Sequence, residues 1–266
     1  EIYTLSLHDA LPIFDFSLGV KLQNLCRRAG IGQIDFTEKF TAIKMHFGEL
    51  GNFAYLRPNY VRAVADLIKE LSGKPFLTDC NTLYPGSRKN AVDHLYNAEV
   101  NGFNSVTTGC YVIIADGLKG TDDIVVPVPG GEYCREAYIG RALYDADVII
   151  SLNHFKGHEM TGFGGAIKNL GMGGGSRAGK MHQHNDGKPV VEPDLCRCCR
   201  LCARECGSDA ISYESGKAVI HQDLCKGCGR CIGACAFDAI HATNGTAADM
   251  LGRKMAEYTA AICAGK

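Results

Sequence analysis

The chain has 266 residues, with 28 Lys and Arg against 29 Asp and Glu, and a formal net charge of −1 at pH 7. That balance excludes a nucleic-acid-coating surface, which needs clustered basic charge. Apolar residues make up 46%, enough for a buried core rather than a disordered chain. No apolar run approaches the roughly 20 residues of a membrane span. Neither nucleic acid nor membrane is therefore expected as a partner.

In chain order, residues 1–13 (EIYTLSLHDALPI) resemble translated sequencing-adapter read-through. They are expected to be a tail foreign to the fold and to contribute little to the core. Residues 18–29 read as a helix stopped by Gly30, and 41–46 as a strand. Residues 59–71 carry apolar side chains at helical spacing and end at Ser72-Gly73. Strands are predicted at 75–78, 111–115 and 147–152, and helices at 88–100 and 132–144. A glycine-rich stretch spans 162–179, and the texture changes near Pro189. Residues 247–264 read as a last helix, without a closing strand. Strands alternating with helices predict an α/β fold, a mostly parallel sheet with helices on both faces.

Fourteen cysteines are present, and nine of them fall between Cys196 and Cys235. Dense, regular spacing points to metal or cluster ligands in a reducing, cytoplasmic compartment rather than to disulfides. Cys196, Cys199, Cys202 and Cys206 give C-x2-C-x2-C-x3-C; Cys225, Cys228, Cys231 and Cys235 repeat it 29 residues on. The repeat extends beyond sulfur. Asp194-Leu195-Cys196 matches Asp223-Leu224-Cys225, and Asp209-Ala210-Ile211 matches Asp238-Ala239-Ile240. Two-residue gaps put three thiolates on one tight loop, and the fourth comes from the other half. Cys196, Cys199, Cys202 and Cys235 are thus assigned to one [4Fe–4S] cluster, and Cys225, Cys228, Cys231 and Cys206 to a second. Zinc sites use paired C-x2-C knuckles, which this doubled run fits poorly. The segment resembles a bacterial two-cluster ferredoxin, although Gly207 and Ala236 stand where proline usually follows the fourth cysteine. Cys198 is read as a spare thiol pointing away from both clusters. Between residues 190 and 243, six basic and seven acidic residues balance. A module so balanced is expected to serve the domain attached to it rather than steer to distant partners.

The expected organisation is a 1–13 tail, a 14–188 α/β domain, a small α+β ferredoxin-like module at 189–243, and a C-terminal helix at 244–266 that continues the α/β domain.

Open parallel sheets bind ligands beyond the carboxyl ends of their strands. After the first predicted strand come His46, Glu49, Asn52, Tyr55 and Arg57. Asp79, Asn81, Thr82, Tyr84 and Arg88 follow the second, Asp116 the third, and Asn153-His154-Phe155-Lys156-Gly157-His158 the fourth. Turns are polar in any protein; their shared edge is what points to a site. His46, His154, Lys156 and His158 are the candidate catalytic groups, because imidazoles and an ammonium suit proton transfer or anion binding. Asn81 with Gly162, Gly164 and Gly165 is the candidate cofactor-binding set, since backbone N–H groups of a glycine-rich loop opening a helix attract a small anionic ligand. His154-x3-His158 would chelate a metal on a helix, yet Gly157 argues for a loop. Cys26, Cys80, Cys110, Cys134 and Cys263 read as small buried hydrophobes.

Lys44-Met45-His46-Phe47-Gly48-Glu49, Asn81-Thr82-Leu83-Tyr84, and residues 153–158 leading to Gly162-Phe163-Gly164-Gly165-Ala166-Ile167-Lys168-Asn169 resemble the iron–sulfur-centre proteins of domain-of-unknown-function family 362. The resemblance covers residues 18–266. It implies an α/β domain paired with a two-cluster ferredoxin segment, and a protein that continues past residue 266. It adds little to the chemistry. Two functions are expected. One is electron transfer through two [4Fe–4S] clusters between a redox partner and a site in the α/β domain, as an oxidoreductase component. The alternative is an anion- or metal-binding enzyme of hydrolase or transferase type, with structural or sensing clusters.

Overall fold

Four parallel strands set the frame: β1 (Phe40–Lys44), β2 (Lys74–Asp79), β3 (Val112–Ile114) and β6 (Val148–Ser151), hydrogen-bonded in the order β3-β2-β1-β6. The computed structural model describes residues 17–84, 86–158, 161–185, 188–242 and 248–266. The expectation for the 1–13 tail lies outside these residues.

Side chains alternate across each strand, so β1 and β2 feed two cores. Ile43 and Leu77 pack with Val61, Val64 and Ile68 of the helix Pro58–Glu70. Ala42 and Phe76 face the other way, into a core closed by Tyr258, Ala261 and Ile262 of the helix Ala248–Cys263. Both faces of the sheet are thus covered, as expected of parallel strands. The helix Leu18–Arg28 starts at Ser17, whose hydroxyl accepts from the Val20 N–H, and Pro58 opens its helix at a position where no N–H is needed.

Residues 132–144 depart from expectation. They form β5 (Glu136–Gly140), antiparallel to β4 (Asp123–Pro127), followed by only a short helix, Arg141–Asp145. The apolar residues Ala137 and Ile139 bury at alternate positions, a strand period, and the β-branched run Ile124-Val125-Val126 supplies the partner. A second antiparallel pair joins β7 (Lys156–His158) to β8 (Gly162–Gly164). It leads into a helical segment carrying a π turn at Lys168–Met172 and then the helix Arg177–Asn185.

In the cysteine-rich segment, β9 (Pro189–Val191) pairs with β12 (Ile240–Ala242), and β10 (Ile211–Glu214) with β11 (Lys217–Ile220). Its backbone repeats with its sequence. Cys198 (φ 53°) and Gly227 (φ 68°), Arg200 (64°) and Gly229 (67°), and Asp209 (49°) and Asp238 (53°) are all left-handed, each pair 29 residues apart. Among the described residues no helix is long and apolar enough to cross a membrane.

Candidate functional site

A crevice of about 550 Å³ opens at the carboxyl ends of β1, β2 and β6. That is the size range of ligand pockets. The position follows from topology. The chain leaves β1 toward β2 and β3, while β6 lies on β1's other side, and the loops after β1 and β6 diverge to leave a cleft. Lys44 and His46 come from the end of β1, Asp79 and Cys80 from β2, and Leu152, Asn153 and His154 from β6. The β7–β8 pair adds Lys156, His158 and Gly164, with Gly165 behind it. Lys168, Asn169 and Met172 come from the π turn, a feature often found at functional sites. Lys180 and His184 come from the helix Arg177–Asn185. His241 and Ala242, at the end of β12, complete the wall, so the cysteine-rich segment is itself part of the crevice.

The floor is a buried polar network. Lys44 Nζ lies 2.9 Å from Asp79 Oδ1 and donates to Asn169 Oδ1 at 2.9 Å. The Asn169 amide in turn donates to the Lys44 carbonyl and the Ser151 hydroxyl, each at 2.9 Å, tying β1 to β6. Arg88 reaches Asp79 at 3.5 Å and also pairs with Glu49 and the Tyr84 hydroxyl. Burial opposes the charge on Asp79, but Lys44, His94 and Arg88 overcome it and hold its pKa well below the ordinary carboxylate range. His94 is fully buried 3.8 Å from Asp79, and burial pushes its pKa down to about 3. Among the described residues neither of its ring nitrogens has a hydrogen-bond partner.

His46 sits at the mouth, where its Nδ1 accepts from the Gly48 N–H at 2.8 Å. Crowding by surrounding protein and the Arg88 charge push its pKa down to about 4. His184 is likewise lowered to about 4 by burial and by Lys168 and Lys180. Burial also lowers the pKa of Lys180, which donates to the Gly175 carbonyl at 2.6 Å.

Of the predicted set, His46, His154, Lys156, His158, Gly164 and Gly165 line one cavity. Asn81 does not. It is fully buried, and its backbone and side-chain N–H groups turn to Asp116 Oδ1 at 2.9 and 2.8 Å. Gly162 also stands outside the lining, because it begins β8 across from His158 rather than forming an anion loop. Lys44, His94, Asn169 and Lys180 were not singled out from sequence. Lys44 and Asn169 stood inside the family-like motifs, whereas the mid-helix position of His94 carries no mark of its burial beside Asp79.

A second, small cavity is lined by Cys196, Cys199, Cys202 and Cys235. Burial pushes the Cys231 thiol up to about 12, and the nearby Cys228, Cys225, Cys202 and Cys206 add to the effect. Backbone N–H groups point at the sulfurs, from Ala210 to Cys206 and from Ala239 to Cys235 at 3.3 Å each, again 29 residues apart. Ala218 and Gly227 do the same for Cys196 and Cys225 at 3.4 Å. Cys198, left-handed at φ 53°, also lines this cavity. Among the described residues no three His, Cys, Asp or Glu side chains are gathered closely enough to hold a single metal ion.

A thylakoid-associated protein of Synechocystis sp. is 29% identical to this chain over 126 residues, which is 45% of the chain and 33% of that protein. The chain therefore spans about a third of that relative's length. The DUF362 pattern, described as a domain of unknown function, matches residues 41–265 and takes in the sheet, the crevice and the cysteine-rich segment together. The chain belongs to the DUF362 family.

Proposed function

We propose that the protein is a cytoplasmic iron–sulfur electron-transfer protein whose ferredoxin-like module passes electrons between an external redox partner and a small anionic ligand in the crevice. The observation that carries this reading is the position of β12. The same half of the repeat that presents Cys235 to the small cavity continues to His241 and Ala242 on the crevice wall.

The residues suit two [4Fe–4S] clusters. Thiolates are the soft ligands such clusters take, and amide N–H groups aimed at sulfur stabilise their charge. The crossed sets are Cys196, Cys199, Cys202 with Cys235 and Cys225, Cys228, Cys231 with Cys206; the lining of the small cavity, where Cys235 joins Cys196, Cys199 and Cys202, supports the first. A cubane also holds its four thiolates at the corners of a body wider than one ion. When bound, the clusters supply one-electron transfer. The chain's own part is to place the ligand. Among the described residues, Lys44, Arg88, Lys156, Lys168 and Lys180 line the crevice against only Glu49 and Asp79, which favours an anion there.

That excess of cations also supports the second reading, an anion- or metal-binding hydrolase or transferase with structural or sensing clusters. Anaerobic purification with iron and sulfide analysis tests the proposal. The expected content is about eight of each per chain, four per cluster. Zinc in place of iron would overturn it. Turnover of the bound anion without any electron donor or acceptor would select the second reading.

A further inference from the structure

The two halves of the cysteine repeat differ where arginine stands in the first. Arg200 and Arg204 are exposed; 29 residues on, their places are taken by Gly229 and Gly233. The left-handed backbone does not demand this glycine, because Arg200 holds the same φ as Gly229, 64° against 67°. Space does. A Cβ on Gly229 would lie 2.7 Å from Arg177 Cγ, and one on Gly233 would lie 3.1 Å from Arg177 Cζ. The side chain filling the vacated positions comes from the α/β domain.

Arg177 is completely buried. Its guanidinium donates to three backbone carbonyls, those of Lys119 and Thr82 at 3.2 Å each and that of Lys89. Among the described residues no carboxylate lies within ion-pair distance of it, and Gly229, which it packs against, stands between Cys228 and Cys231 in the chain. An unpaired buried charge is costly unless a counter-charge is at hand. A cluster held by four thiolates is such a counter-charge. The Thr82 carbonyl that Arg177 grips belongs to a residue on the crevice wall.

We propose that Arg177 is the electrostatic joint between the cysteine module and the crevice. Its buried guanidinium neighbours the cluster of Cys206, Cys225, Cys228 and Cys231, raises that cluster's reduction potential above its twin's, and fixes the module to the Thr82 wall. It is a positioning residue. A nearby cation stabilises the reduced, more negative state of a cluster, so the potential rises. The inference rests on the two-cluster reading above.

The test is a redox titration of the full chain followed by EPR, for wild type, Arg177→Met, Arg177→Lys and Gly229→Ala, with iron content measured for each. In Arg177→Met one of the two potentials falls at full iron content while the other stays within error. Arg177→Lys keeps a charge and recovers part of the shift. Gly229→Ala, which crowds the guanidinium, lowers the same potential. If Arg177→Met loses its iron, the other two variants decide by the same criterion. Unchanged potentials at full iron content, or equal shifts of both, overturn the role of Arg177 and leave the two-cluster reading standing. A wild type without clusters overturns both.

Discussion

The cysteine module and the crevice are built on opposite plans. The module is a local design: its chemistry repeats along the chain at a fixed displacement, in sulfur positions, in backbone φ and in N–H···S bonds. The crevice and its floor are assembled from segments far apart in sequence: Lys44 and Asp79 end adjacent parallel strands, Asn169 comes from the π turn, and His94 and Lys180 come from two helices. The difference teaches where redundancy lies. Losing one module residue should remove one copy of a doubled device, whereas losing one member of the crevice floor strands buried charges that have no duplicate.

Substitutions of single cysteines should have the largest effect on composition. On the proposed assignment, in which each would remove one ligand of one cluster, Cys206→Ser and Cys235→Ser are each expected to lose about half the iron. Iron analysis checks this, and loss of all iron from either would show that the two halves do not load independently.

Asp79→Ala should be the largest single blow to the crevice. It leaves Lys44 and Arg88 facing each other in a buried site, and breaking a buried ion pair costs about 3–5 kcal/mol. Chemical denaturation of the apo-protein measures it. A loss below 1 kcal/mol at an unchanged m-value would mean that the network does not hold the floor.

Acid should weaken the crevice before the rest. His46 and His184 are lowered to about 4 and His94 to about 3, whereas an unfolded histidine titrates near 6.5. Between those values the unfolded chain binds more protons than the folded one. The stability from keeping these rings neutral is therefore complete above about pH 6.5 and is lost as pH falls from there toward 4 and 3. The melting temperature should drop over that window, and His94→Phe should flatten the slope. An unaltered slope would argue that His94 is already charged in the fold.

Lys156→Gln should be the mildest change. Lys156 is exposed on β7, so stability should stay within about 0.5 kcal/mol of wild type. Affinity for an anionic ligand such as citrate should fall severalfold, as read by calorimetry. Unchanged affinity would remove β7 from the binding surface.

Much of this was legible in the sequence, for physical reasons that also mark the limits. The four parallel strands declared themselves as short apolar runs between helical periods, and the rule that their loops share an edge was enough to gather His46, His154, Lys156 and His158. Asn81 followed a strand too, but its side chain found a buried carboxylate, Asp116, and turned inward. No periodicity reveals such a partner. Residues 132–144 fit a helical period as well as a strand period, because Ala, Tyr and Leu suit either, and the strand is settled only by β4 beside it. Arg177 was hidden in a glycine-rich stretch. Its trace lay elsewhere, in Gly229 and Gly233 standing where the first half of the repeat has arginines.

The most direct test of the central claim is the EPR spectrum of the anaerobically purified, dithionite-reduced full chain. Two clusters held by one small repeat sit close enough for their spins to interact, so the account predicts a broadened spectrum of two coupled [4Fe–4S] centres that simplifies in Cys206→Ser or Cys235→Ser. A protein without such a signal, or one carrying the spectrum of a single isolated centre at full metal loading, would contradict it.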